Sequence, residues 1–240
     1  NVTFNIGGIT GSNTAAMSYD IIHNCKKSNA AALKKTRKTA WVQIRANTHP
    51  QGTSGPWSLG LPDVVEIEDV YLVPAGATPS YANTSNNTET IYASNKVTSQ
   101  MILETGQKDN FYGLSTLQAK GSFSMTADQQ LFIKVKHFET ATPASGSGYY
   151  TVDSYVDSDG VTAIDPSDIP VYNSKQSGFS IDLRNVLDCR PMVAATATGA
   201  GLHANGGVGS PVNPSATEAF PNQTLFLAAP NEQFNSNIEF

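Results

Sequence analysis

Period-2 alternation of apolar and polar side chains is the strongest pattern along this chain, and it predicts a protein built from short strands. The clearest case is QQLFIKVKHFE (129–139), where Leu131, Ile133, Val135 and His137 alternate with Phe132, Lys134, Lys136 and Phe138. WSLGLPDVVEIEDVYLVPAG (57–76) places Val65, Ile67, Asp69 and Tyr71 on one side of a strand. Val64, Glu66, Glu68, Val70 and Leu72 fall on the other. WVQIRAN (41–47) alternates as a half-buried strand, and YYTVDSYV (149–156) predicts a further strong one. Between them run turn clusters such as THPQGTSGP and TATPASGSG, and this spacing suits a sandwich or an open antiparallel sheet. Helix signals are few; the Ala-Ala-Ala-Leu centre of CKKSNAAALKKTRKTAW (25–41) predicts one short helix.

The fold class expected is therefore mainly β: antiparallel sandwich modules with long polar loops and little helix. Three regions follow from the changes in character. Residues 1–56 form an N-terminal segment with a basic stretch, packing on a neighbour. Residues 57–192 form a β-sandwich-like module, and 193–240 a Gly/Pro/Asn-rich linker with a C-terminal strand at TLFLAAPNEQF. The segment 76–99 is poor in apolar residues and reads as an exposed excursion. The chain opens on Asn and ends on NSNIEF, and so reads as part of a longer polypeptide.

Composition sharpens this picture. Hydrophobic residues reach 39% and aromatic ones 9%, enough to fill cores, so disorder is not the explanation for the polar loops. A net charge of −5 gives no basic field for nucleic acid. There is no run of 18 apolar residues to insert in a membrane, and no signal peptide is expected ahead of Asn1. Cys25 and Cys189 are too few and too far apart to specify a metal site or a disulfide, and both read as thiols. The N-x-S/T sequons at Asn1, Asn83, Asn86 and Asn222 are what so Asn- and Thr-rich a chain produces by chance.

Candidate chemistry is thin. His23, His49, His137 and His203 have no nucleophile elbow or papain-like cysteine motif to work with. Asp157 and Asp159, in a run with Asp153, Asp165 and Asp168, form a calcium candidate, but Asp-x-Asp-Gly fits an ordinary turn equally well. Glu66 and Glu68 share a strand face without being specific for sugar hydrolysis. GAGLHANGGVG lacks the Lys-Ser/Thr of a phosphate loop. The basic run from Lys26 to Lys38 suits either an anionic ligand or a solvated face, and the second is favoured because no aromatics interleave it.

One stretch stands apart. LETGQKDNFYGLSTLQ (103–118) resembles a segment of large virion structural proteins of T4-like tailed phages, especially those of marine cyanobacteria. Three other blocks follow that family's order: GPWSLGLPDVVEIEDVYL upstream, LFIKVKHFE with GYYTVDSY, and DIPVYNSKQSG with IDLRNVLDCRP. They span about residues 57 to 192. Cys189 stands where the family usually has Phe, and YGLSTLQ lacks the acidic residue or His that commonly follows the Tyr.

The resemblance implies a non-enzymatic tail, baseplate or fibre component of the virion, with no cofactor. Its expected partners are further copies of itself, as a trimer or hexamer, and other virion proteins. The structural motif would comprise Gly106, Gln107, Asp109, Asn110, Phe111, Tyr112, Arg184, Asp188, Arg190 and Pro191. Short polar side chains at 107–110 would bond backbone groups at a corner, with Phe111 and Tyr112 anchoring it. The alternative is a receptor- or glycan-binding module of a tail fibre, using Trp57 and Tyr81 on a host surface glycan; a polysaccharide-degrading tailspike part is a third reading. On the second reading Trp57 must be exposed.

Overall fold

The computed structural model describes residues 31–77, 87–140, 148–190 and 192, with the backbone of the short pair 197–198 and 213–214. Two strands open it, β1 (Ala31–Ala32) and β2 (Lys35–Arg45), followed by β3 (Trp57–Pro62) and β4 (Val64–Pro74). The one α-helix among the described residues, α1 (Thr88–Ile91), is a single turn capped by the Asn87 side chain. Then come β5 (Met101–Glu104), β6 (Leu114–Ala119), β7 (Gln129–Thr140), β8 (Gly148–Tyr149), β9 (Tyr155–Val156), β10 (Val171–Asn173) and β11 (Ser180–Asp182). A last pair, β12 (Ala197–Thr198) and β13 (Asn213–Pro214), is antiparallel.

Two larger sheets organise the rest. One has the order β4-β7-β2-β9, the other β3-β6-β5. Strand β7 is central to the first: β2 pairs with it antiparallel from Lys35↔Thr140 to Arg45↔Gln130, and β4 flanks its other side. The fold is thus mainly β, and the two sheets share a core. Val42 and Ile44 of β2, Leu131, Ile133 and Val135 of β7, Leu59 and Leu61 of β3 and Leu117 of β6 meet there, essentially unexposed. Each such side chain contributes about 1.5–3 kcal/mol by leaving water. The opposite face of the four-stranded sheet is also covered, by Trp41, Tyr71, Val73 and Phe132. That double burial makes residues 130–133 buried on both sides of the strand.

The structure departs from the sequence-based expectations at four places. The boundary drawn at residue 56 cuts through the module, because β2 lies beside β7 inside the first sheet. Ala31 and Ala32 form β1, paired parallel with β8, rather than a helix; pairing with a distant strand outweighs a weak helix propensity. The alternation read in 57–76 is interrupted by two register shifts in β4, between Val64 and Glu66 and between Ile67 and Asp69. They bring Ile67 to the same core as Val64 and Val70. Finally, 149–156 is two short strands instead of one. The Thr151 and Ser154 side chains cap a turn at Val152–Ser154 reciprocally, which halts the ladder. TLFLAAPNEQF lies outside the described residues.

Candidate functional site

Four distant pieces of chain converge where β2 begins: Lys35 itself, Asp63 at the β3–β4 corner, the bend 106–113 between β5 and β6, and the segment 188–190. The bend is tight. Lys108 N–H donates to the Phe111 carbonyl (2.8 Å) and Gly113 N–H to the Gly106 carbonyl (3.0 Å), with Gln107 and Tyr112 bridged antiparallel. Gly106 has φ +74, a conformation that favours glycine. A Cβ there would meet the Gly113 carbonyl oxygen at 2.7 Å and that of Leu114 closer still.

From this bend, side chains reach inward to fixed partners. Gln107 Nε2 donates to Asp63 Oδ1 at 2.9 Å. The Tyr112 hydroxyl donates to Asp188 Oδ2, while Arg190 Nη2 donates to the Tyr112 oxygen at 2.7 Å. Arg190 also grips Asp188 in a fork, Nε to Oδ1 and Nη2 to Oδ2, both 2.9 Å, and its Nη1 donates to the Lys108 carbonyl at 3.1 Å. Its guanidinium lies against the rings of Tyr112 and Tyr172, 4.2 and 4.6 Å from their centroids. Asp109, on the outside of the bend, accepts from the Tyr172 hydroxyl (2.5 Å) and Ser174 Oγ (2.9 Å), tying β10 to the motif.

Burial sets the electrostatics. Lys35 is fully buried, with Nζ 2.7 Å from Asp63 Oδ2 and the rings of Tyr112, Tyr150 and Tyr155 around it at 3.7, 4.6 and 5.2 Å. Desolvation lowers the Lys35 pKa despite the pull of Asp63 and Asp188. Burial opposes the charge of Asp188 too, but hydrogen bonding and attraction from Arg190 win, holding it below the usual carboxylate range. Burial in the same site holds Arg190 back, yet Asp188 carries its pKa upward. Tyr112 is pushed well up by burial, and Tyr150 up to about 12. The hydrogen bond from Tyr172 leads the lowering at Asp109.

Of the motif residues picked from sequence, Gln107, Tyr112, Asp188 and Arg190 meet in this junction, Asp109 on its rim, and Gly106 makes the bend. Asn110 and Phe111 are half-buried in the turn. Arg184 is elsewhere: it pairs with Asp182 in an exposed turn of its own, Nη2 to Oδ2 2.6 Å. Pro191 and Tyr81 lie outside the described residues, as does Cys25; Cys189 is half-buried.

Trp57 corrects an expectation. It is 0% exposed in the sandwich core, edge-on to Phe123, with Nε1 donating to the Gly52 carbonyl at 2.8 Å, so it offers no platform to a glycan. The basic run, read as a solvated face rather than an anion site, and the acidic run, a calcium candidate or an ordinary turn, face each other. Arg37 pairs with Asp168 (2.8 Å) and Asp157 (3.3 Å), Lys38 donates to the Ser158 carbonyl (3.0 Å) and Lys34 to that of Gly160 (3.1 Å). Asp159 is occupied by the Val161 and Thr162 amides, both at 2.8 Å. Among the described residues no group of three or more His, Cys, Asp or Glu is arranged to hold a metal ion. Glu66 and Glu68 pair with Lys136 (2.7 and 3.3 Å).

Sequence reading missed Lys35, Asp63, Tyr150 and Tyr172. Only Asp63 carried a local signal, a lone acid amid apolar residues directly after Leu-Pro. Beside the bend lies a groove of about 770 Å³, with Phe111, Gln107, Tyr172, Asn173 and Lys175 on its walls. No helix among the described residues is long and apolar enough to cross a membrane.

What the fold and the junction define is a mainly β module closed on itself by a buried polar clasp. No protein-family model, curated protein or solved structure matches the chain.

Proposed function

We propose that the chain is a non-enzymatic structural component of a bacteriophage virion, in the tail, baseplate or fibre, working by self-association and docking to other virion proteins. One observation carries this reading. Instead of bonding backbone groups, Gln107 and Asp109 of the GQKDNFY bend are held by the side chains of Asp63, Tyr172 and Ser174, while Tyr112, Asp188 and Arg190 bond one another, as a rigid corner requires. A supporting feature is the β10–β11 hairpin, which exposes Phe179 (71%) and Val171 (49%), apolar surface suited to a neighbouring subunit. The resemblance of four ordered blocks to virion structural proteins points the same way.

Two measurements test the proposal. Peptides of the chain should be recovered from purified phage particles, with antibody labelling at the tail. Light scattering of the isolated chain should give a trimer or hexamer. Absence from the particle, or a monomer that degrades polysaccharide, overturns the reading.

The groove beside the bend favours a second reading, a receptor- or glycan-binding fibre module. Its aromatic walls and amide groups suit a sugar, and it takes over the place that Trp57 cannot fill. Binding on a glycan array that is lost in Tyr172→Ala would select it.

A further inference from the structure

At the start of β2 an amine and a carboxylate are held in contact and out of water. Lys35 is 0% exposed and Asp63 1%, with Nζ and Oδ2 2.7 Å apart. An apolar pair of similar volume is often as stable as a buried ion pair, so stability alone does not account for it. Asp63 sits at φ +50, the one non-glycine residue with positive φ among those described, and strain of this kind costs roughly 1–3 kcal/mol. That backbone delivers its carboxyl to Lys35. Gln107 Nε2 then occupies Oδ1 at 2.9 Å, leaving Oδ2 turned to the amine. Rings of Tyr112, Tyr150 and Tyr155 wall the pair.

We propose that Lys35 and Asp63 condense into an intramolecular isopeptide bond, a covalent staple between β2 and the corner that joins β3 to β4. Every atom needed is already in the pair. A proton passes from Nζ to Oδ2 along their contact, giving a neutral amine and a carboxylic acid. Burial favours this by destabilising the ammonium. The nitrogen lone pair attacks Cγ, and the electron pair of the C–Oδ1 double bond moves onto Oδ1, where the Gln107 amide already donates. A second proton moves from nitrogen to Oδ2, the Cγ–Oδ2 bond breaks, and water leaves. The amide keeps the third proton, nothing is oxidised or reduced, and no co-reactant is required. Holding both reactants in contact in a dry site removes most of the entropic barrier.

Two features bear on the rate and the charge balance. The tyrosine faces stabilise the ammonium, so the reaction is a slow single turnover. Condensation removes one positive and one negative charge together, and Asp188 and Arg190 remain as a matched pair.

The test is the intact mass of the full chain under denaturing conditions, expected to be lighter than the sequence mass by one water. Asp159–Gly160 can lose water as a cyclic imide, so location decides. Trypsin should release a branched peptide joining 35–37 to 46–96, uncut after Lys35. An unshifted mass, or a loss mapped elsewhere, overturns the proposal and leaves a plain ion pair. In newly made protein, Gln107→Ala keeps both reactants and should slow the mass change roughly 10²-fold. An unchanged rate would refute the role given to Gln107.

Discussion

Single residues in the junction differ sharply in what their loss should do. Gly106 owes its place to backbone shape, and the obstacles to a side chain there are the backbone carbonyl groups of Gly113 and Leu114, which cannot rotate away. Gly106→Ala should therefore cost roughly 1–3 kcal/mol from strain alone, read as a lower urea midpoint. Asp188→Ala strands a buried guanidinium and should cost roughly 3–5 kcal/mol by the same measurement. Because the folded pKa of Asp188 lies below its unfolded value, its contribution is whole above about pH 4. It is lost as pH falls through the folded pKa, and denaturation at pH 3 against pH 7 should show this. Legibility was uneven at this scale. Gln107, Tyr112, Asp188 and Arg190 stood out as a chemically dense bend and closing segment. Lys35 did not, since one lysine in a run of basic residues carries no mark of being swallowed by three tyrosines from other segments.

Strands were legible where alternation was clean and obscure where a local hydrogen bond interrupted it. β7 follows its sequence pattern, with Leu131, Ile133 and Val135 in the sandwich core and Phe132 behind them. The capping pair Thr151 and Ser154 and the bulges of β4 left no periodic trace, because each is one or two residues wide. His137 belongs to this level, since β7 carries it into a site where burial lowers its pKa to about 4, with Lys38 adding a like charge. The unfolded chain takes up a proton near pH 6.5 that the folded one refuses until about pH 4. Stability should thus fall between those values by about 3 kcal/mol, at about 1.36 kcal/mol per pKa unit. His137→Leu should flatten that part of a stability-against-pH curve measured in urea; an unchanged slope would refute the account. Both tryptophans are buried, Trp41 4% and Trp57 0% exposed, so native emission should resist iodide quenching.

For the whole molecule, the mainly β class was legible from turn spacing and alternation alone. The division at residue 56 was not, since which strand becomes β7's neighbour depends on pairings more than eighty residues apart in sequence, such as Arg45 with Gln130. The meeting of the basic and acidic runs has the same origin: Arg37 and Asp168 look like separate sites until the chain brings them to 2.8 Å. At this scale the expected test concerns assembly. Phe179→Asp on the β10–β11 hairpin should shift the chain towards monomer in light scattering, with its melting temperature little changed.

The clasp also joins two places far apart in sequence. Lys35 opens β2 and Arg190 lies beyond β11, yet both contact the Tyr112 ring. Tension applied between those two residues would enter and leave through almost the same point. The sheets between would hang from that point as a loop under little load, and pulling would have to shear the clasp before it could unzip a strand.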